Sequence, residues 1–133
     1  MAPAEGKKGR VVLVEDDSLL SGVLTNHLRE EGFDVDLITD GRQVVEKVQS
    51  WKPDIVLLDI VLPGANGFDI LGELKRGEST KSIPILILSN LGSKEEIKRG
   101  LDLGAAGYLV KANSLIEEIT GKVEDIVSRH AGP

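Results

Sequence analysis

Residues 55–59 read Ile-Val-Leu-Leu-Asp, so a run of four aliphatic side chains ends directly on an acid. The same change from apolar to chemically reactive residues occurs at three other places in the chain. Short apolar runs that alternate with helix-period segments are typical of the buried strands of a parallel sheet. The residues that end the other three runs are the acids Glu15–Asp17, the pair Ser89–Asn90, and Lys111.

These four strand ends predict one shared site. Parallel strands place their carboxyl ends along the same edge of a sheet, and open α/β sheets bind ligands in the crevice at that edge. Acids, a hydroxyl group and a lysine from four distant stretches of sequence would therefore meet there. This combination of side chains indicates a site that handles phosphate.

The remainder of the chain alternates between strand and helix patterns five times. Regular alternation predicts an α/β fold, and right-handed crossovers restrict its topology. We therefore expect a doubly wound, five-stranded parallel sheet of the (βα)5, flavodoxin-like type, with strand order 2-1-3-4-5. Residues 33–38 alternate polar and apolar side chains, which is expected of a strand at an exposed sheet edge.

Local signals place the helix ends and faces. Asp17 and Asp40 are expected to cap helices through their side chains, and Asn113 is expected to cap the last helix. Residues 93–96 read Ser-Lys-Glu-Glu, which predicts a capping box at a helix start. Helical spacing places Val23 on the buried face of the first helix and Leu115 on that of the last.

Length and charge limit the class of protein. A chain of 133 residues fits one domain, and we assign residues 10–129 to it, between a flexible N-terminal tail (1–9) and a C-terminal tail (130–133). The net charge of −6 argues against nucleic acid or an anionic membrane as the main partner. No apolar run approaches the ~20 residues of a membrane helix. We expect a cytoplasmic protein that does not bind a membrane.

The acids at the first and third strand ends predict a metal site. The expected strand order places these strands side by side, and with them Glu15, Asp16 and Asp59. Clustered carboxylates repel one another unless a cation neutralises them. The chain has no cysteine, and no histidine lies near these acids. Oxygen donors alone indicate a hard ion such as Mg²⁺, with Mn²⁺ as a substitute, rather than zinc.

The strand-end segments resemble the receiver domain of bacterial two-component response regulators. The resemblance rests on residues 12–17, on 59–64 with Gly67, on 87–89 and on 107–111, and it covers residues 10–129. It implies a phosphorelay domain, stand-alone and similar to chemotaxis regulators. Such a domain takes a phosphoryl group from the phosphohistidine of a sensor histidine kinase or a histidine phosphotransfer protein. It then switches a protein-binding surface toward a downstream protein target.

The resemblance also implies how the acids act. Asp59 would be the phosphoacceptor. Glu15, Asp16, Asp59 and the main-chain carbonyl of Val61 would hold Mg²⁺. The domain would phosphorylate itself from a donor without being an enzyme in the usual sense.

Three further residues take roles from the same resemblance. Lys111 would pair with Asp59 at rest and with a phosphoryl oxygen afterwards. Ser89 would hydrogen-bond another phosphoryl oxygen, and the rotamer of Tyr108 would report the resulting shift. The side chains of Val61 and Leu91 flank the path of a hydrolytic water in receivers. Because both are aliphatic, we expect slow autodephosphorylation.

The sequence departs from the receiver pattern in three respects. Ala112 follows Lys111, where receivers usually have proline. A non-proline cis bond would cost ~3–4 kcal/mol, so the loop either stores that strain or follows a trans path. Asn90 replaces a commonly small residue. No effector domain is recognisable, so we expect no nucleic-acid-binding domain and an output through protein contacts, unless the chain is an excised fragment.

Three alternatives remain open. The chain could be a receiver-like binding module that is never phosphorylated. A haloacid-dehalogenase-like phosphatase would also use a strand-end aspartate with Mg²⁺, but its second aspartate would be needed where Val61 stands. A flavodoxin-type flavin carrier shares the fold, but the acids at 15–17 would repel a phosphate unless a metal is bound.

Overall fold

The computed structural model describes residues 7–130. Residues 1–6 and 131–133, which belong to the two predicted tails, lie outside the described residues. Within the described part, the main-chain N–H of Lys8 donates to the carbonyl of Gly32 at 2.8 Å. The first strand begins at Gly9, the last residue of the predicted N-terminal tail. The domain boundaries themselves stay a prediction.

The described residues contain one parallel sheet of five strands. The order is β2-β1-β3-β4-β5, and every neighbouring pair is parallel. This arrangement confirms the predicted fold class and the predicted strand order. The strands are β1 (Gly9–Val14), β2 (Phe33–Ile38), β3 (Ile55–Leu58), β4 (Ile85–Ser89) and β5 (Gly107–Val110).

Helices cover both faces of the sheet. One apolar core lies between the sheet and α2 and α3, and the other lies between the sheet and α1 and α5. Successive strand residues contribute to opposite cores because side chains alternate across a strand. No helix within residues 7–130 is long and apolar enough to cross a membrane. The helices are α1 (Ser18–Glu30), α2 (Val44–Trp51), α3 (Gly67–Arg76), α4 (Lys94–Asp102) and α5 (Ile116–His130).

The predicted caps are confirmed at three helix starts. The Asp17 carboxylate accepts the N–H of Leu20 at 3.0 Å, at the start of α1. Asp40 caps the short 3₁₀ turn Gly41–Gln43 that precedes α2. The capping box at the start of α4 is complete, since the side chain and main chain of Ser93 both bond with residue 96.

Three local predictions are wrong. Val23 is 42% exposed, because α1 buries Ser21 and Thr25 instead and Val23 lies on the opposite side of the helix. Asn113 does not cap the last helix, because it belongs to a 3₁₀ turn at 111–113 and α5 begins at Ile116. Leu115 precedes that start and is 66% exposed. In each case tertiary packing outweighs the local pattern.

The two edge strands differ from the central ones. β2 alternates in burial from Phe33 to Asp36, as predicted for an edge, but Leu37 is then exposed and Ile38 is buried. β5 was expected to be a buried strand, but all four of its residues are only half-buried. The reason is its position at the other edge of the sheet, where one neighbouring strand is missing.

Candidate functional site

The carboxyl ends of four strands meet in one cleft. The main-chain N–H groups of Glu15 and Asp59 continue the sheet pairing, to Ile38 at 3.0 Å and to Val14 at 3.1 Å. This pairing fixes the position of both acids just beyond β1 and β3. Every predicted site residue except Tyr108 and Leu91 lines the cleft. The lining residues are Glu15, Asp16, Asp17, Asp59, Val61, Ser89, Asn90 and Lys111.

Three carboxylates in this cleft form a cluster that suits a divalent cation. One oxygen each from Glu15, Asp16 and Asp59 lies within 4.8 Å of the others. Glu15 and Asp59 are 1% and 5% exposed, whereas Asp16 is exposed to solvent. The donors are all oxygens, which hard cations prefer. The cluster therefore fits the predicted metal, and the exposed Asp16 leaves a path from solvent.

Lys111 bridges the two buried acids. Its Nζ lies 2.7 Å from Asp59 Oδ2 and 2.7 Å from Glu15 Oε1, and its side chain is 14% exposed. Burial lowers the pKa of Lys111, but the two carboxylates outweigh burial and leave the pKa raised. Burial raises the pKa of Glu15, because it disfavours the charged carboxylate, although the contact with Lys111 acts in the opposite direction. Three carboxylates face one ammonium group here, so the cleft still favours a further cation.

The loop after Lys111 follows a trans path. None of the peptide bonds within the described residues is cis, and residues 111–113 form a 3₁₀ turn. Lys111 reaches both acids with alanine in place of the usual proline. The structure therefore decides between the two paths that the sequence left open.

Ser89 and Tyr108 are connected through the backbone of Leu91. Ser89 is fully buried at the end of β4, and its Oγ accepts the N–H of Leu91 at 3.3 Å. The Tyr108 hydroxyl donates to the Leu91 carbonyl. Burial raises the pKa of Tyr108, and the charges of Glu96 and Asp59 add to this effect. Sequence reasoning considered only the side chain of Leu91 and missed this connection.

A small hairpin follows Asp59 and shapes the cleft wall. Val61–Leu62 pairs in antiparallel fashion with Ala65–Asn66. The N–H of Val61 donates to Asp59 Oδ1 at 3.2 Å, and the Val61 side chain is 61% exposed. A Cβ on Gly67 would lie 2.4 Å from Cα of Ile60, so glycine alone lets α3 begin this close to the acid. Gly67 belonged to the sequence motif, but its contact with the Asp59–Ile60 backbone could not be read from sequence.

Comparison with known proteins identifies the same region. Residues 11–124 match the family model described as the response regulator receiver domain. The chain is 41% identical over 123 residues to the transcriptional regulatory protein QseB of Escherichia coli O157:H7, covering 92% of this chain and 55% of QseB. It is 39% identical over 102 residues to the DNA-binding response regulator MtrA of Mycobacterium leprae, covering 77% of this chain and 44% of MtrA. The non-phosphorylated HemR receiver domain of Leptospira biflexa superposes with a TM-score of 0.82 at 30% identity, covering 90% of this chain and 94% of that one.

These relatives correct one prediction. The chain spans about half the length of the curated relatives it matches, and several of them are named as DNA-binding regulators. The expectation of no nucleic-acid-binding domain, with an output through protein contacts alone, is therefore wrong. It relied partly on the net charge of −6. That charge describes the surface of the receiver and carries no information about a separate output domain.

Proposed function

This chain belongs to the response regulator receiver domain family, and we propose that Asp59 is the residue on which it is phosphorylated. Receivers of two-component systems are phosphorylated on an aspartate with Mg²⁺. The observation that supports Asp59 is that its carboxylate contacts a lysine and also belongs to a cluster of acids. Its Oδ2 lies 2.7 Å from Lys111 Nζ, and the carboxylate also belongs to the acid cluster with Glu15 and Asp16.

In the proposed reaction, a carboxylate oxygen of Asp59 attacks the phosphorus of a phosphohistidine. The phosphorus–nitrogen bond breaks, its electron pair stays on the imidazole nitrogen, and an acyl phosphate forms on Asp59. Lys111 holds the attacking carboxylate in place beforehand. Afterwards its ammonium group can exchange the contact with Asp59 for one with a phosphoryl oxygen. Its contact with Glu15 can remain, because the reaction does not change Glu15.

We assign a divalent cation to Glu15, Asp16, Asp59 and the main-chain carbonyl of Val61. The oxygen donors and their charge favour Mg²⁺, with Mn²⁺ as a substitute. When bound, such a cation offsets the negative charge of the incoming phosphoryl group. The exposed Asp16 and the two buried acids, Glu15 and Asp59, would together hold the cation.

The proposed switch uses Ser89 and Tyr108. The Ser89 hydroxyl would donate to a phosphoryl oxygen on Asp59, drawing in the loop that begins at residue 90. Leu91, on that loop, is bonded to Ser89 through its N–H and to Tyr108 through its carbonyl. A movement of Ser89 is thus coupled to the position of the tyrosine, which is the two-state element that phosphate would bias.

Receivers act as phosphoacceptors in signalling rather than as conventional enzymes. We propose that this one catalyses only its own phosphorylation and loses the phosphoryl group slowly. Its partner would be a sensor histidine kinase or a histidine phosphotransfer protein in the cytoplasm. Because relatives such as MtrA are named as DNA-binding response regulators, we further propose that phosphorylation controls a DNA-binding output domain.

Incubation with acetyl phosphate and Mg²⁺, followed by intact-mass analysis, tests the proposal. The wild type should gain one phosphoryl group, and Asp59→Asn should gain none. Asp69→Asn, which changes an exposed acid on α3, is the matched control and should label like the wild type. An adduct on the Asp59→Asn protein would place the acceptor elsewhere. No adduct on the wild type would favour a binding module that is never phosphorylated.

A further inference from the structure

Helix α4 approaches the sheet very closely at Gly100. A Cβ at this position would lie 2.6 Å from Cδ1 of Ile87, and 3.0 and 3.2 Å from Cδ2 and Cε2 of Tyr108. Carbon atoms in good contact are separated by about 3.5–4.0 Å, so a side chain has no room here. Glycine is unfavourable inside a helix relative to alanine. Its presence at the seventh position of the nine-residue helix α4 therefore indicates a need for space.

The atoms that fill this space cannot easily move away. Ile87 is fully buried on β4, so its methyl group can move only against neighbouring side chains of the packed core. The Tyr108 ring is rigid, and its hydroxyl donates to the Leu91 carbonyl. One edge of the ring thus lies beside Gly100, and its hydroxyl is bonded to Leu91.

We propose that Gly100 is a positioning residue for Tyr108. Without a side chain at residue 100, the tyrosine ring lies against α4 with its hydroxyl on the Leu91 carbonyl. A methyl group at residue 100 would displace the ring and break that hydrogen bond. The loop that carries Leu91 would then lose one of the two bonds that orient its backbone. The last step, an effect on Ser89 as a phosphoryl contact, rests on the proposed function.

Tyr108 is the only tyrosine in the sequence, so its position can be measured directly. Protein labelled with 3-fluorotyrosine should give one ¹⁹F resonance. Gly100→Ala should move this resonance toward that of a solvent-exposed fluorotyrosine and shift the Leu91 amide signal. Gly121→Ala is the matched control, because a Cβ on that glycine of α5 would meet no atom within 4 Å. An unchanged ¹⁹F resonance in Gly100→Ala would overturn the proposal.

Thermal unfolding of paired variants identifies the atom that the methyl group meets. Gly100→Ala should lower the melting temperature in the wild-type background but much less in a Tyr108→Ala background. If Ile87→Val reduced the loss in melting temperature caused by Gly100→Ala and Tyr108→Ala did not, the proposal would be overturned. If Gly100→Ala alone does not fold, a folded Gly100→Ala/Tyr108→Ala protein supports the proposal, and failure of both to fold overturns it.

Labelling with acetyl phosphate and Mg²⁺ tests the link to Ser89. Gly100→Ala should label several-fold more slowly than Gly121→Ala. Equal labelling, together with a displaced tyrosine, would overturn the link. The ¹⁹F measurement needs no phosphodonor, so it decides the role of Gly100 even if the wild type takes up no phosphoryl group.

Discussion

Replacing Lys111 by methionine should strongly destabilise the metal-free protein. The ammonium group of Lys111 lies 2.7 Å from each of two buried carboxylates, Glu15 and Asp59. Methionine keeps most of the apolar length of the lysine and removes the charge. Two carboxylates that are 1% and 5% exposed would then have no cation beside them.

The expected loss follows from the burial of this ion pair. Removing one partner of a buried pair costs about 3–5 kcal/mol, because the remaining charge stays buried without compensation. We expect about 3 kcal/mol, since the Lys111 side chain is 14% exposed and water can partly replace it. For a domain of this size, 1 kcal/mol corresponds to roughly 4 °C, so the melting temperature should fall by about 12 °C.

The loss should also depend on pH. Burial already raises the pKa of Glu15 above its ordinary value of 4.5, and removing Lys111 removes a group that opposes this shift. A raised carboxyl pKa means that the folded protein binds a proton more readily than the unfolded chain. Its stability therefore falls as the pH rises from 4.5 through the raised pKa. The deficit of Lys111→Met should be larger at about pH 8 than at about pH 5.

Thermal unfolding in EDTA and in Mg²⁺ measures both effects. Lys98→Met is the matched control, because Lys98 lies 2.6 Å from Asp102 but both side chains are more than half exposed. Such an exposed pair contributes little to stability, because water and salt screen it. Mg²⁺ should restore more stability to Lys111→Met than to the wild type, since the cation can replace the ammonium group. A loss no larger than that of Lys98→Met, or a smaller Mg²⁺ response than in the wild type, would refute the reasoning.

Four further variants give three separate tests, the last of them a matched pair of glycine substitutions. Asp16→Asn should raise the melting temperature of the metal-free protein by relieving repulsion and should weaken its response to Mg²⁺; equal Mg²⁺ shifts would count against Asp16 as a ligand. Val61→Asn with Leu91→Glu should speed phosphoryl loss by up to about 100-fold, followed by intact mass after donor removal, and an unchanged decay would contradict the role of these positions. Gly67→Ala should cost about 1–3 kcal/mol in thermal unfolding and slow labelling. Gly121→Ala should gain up to about 1 kcal/mol in stability. Equal stability of the Gly67→Ala and Gly121→Ala proteins would contradict the need for glycine at residue 67.

Chain order and apolar runs were sufficient to predict the fold. Each strand run is short and nearly pure in aliphatic residues, and the segments between the runs have helical spacing. Right-handed crossovers then leave few topologies, so the strand order was predictable. The convergence of Glu15, Asp59, Ser89 and Lys111 followed from the same reasoning, because all four lie at the carboxyl ends of parallel strands.

Predictions that depended on helix rotation were less successful. Val23 has a helical spacing compatible with burial, yet the face that α1 turns to the core consists of Leu24 and Leu28 with Ser21 and Thr25. The rotation of a helix is chosen by the shape of the surface it packs against, which hydrophobic spacing describes only coarsely. The exposed Leu115 has a different cause, because it lies before α5 begins at Ile116.

The sequence by itself determined which elements form, their order, and the edge of the sheet where the reactive side chains meet, because these features arise from local propensity and chain connectivity. Tertiary structure alone decided which atoms touch there. The bridge from Lys111 to both acids, the trans path after it, the bond from Tyr108 to Leu91 and the close approach at Gly100 all join segments distant in sequence. Such contacts depend on separations of a few tenths of an ångström, and these are set only when all the elements pack together.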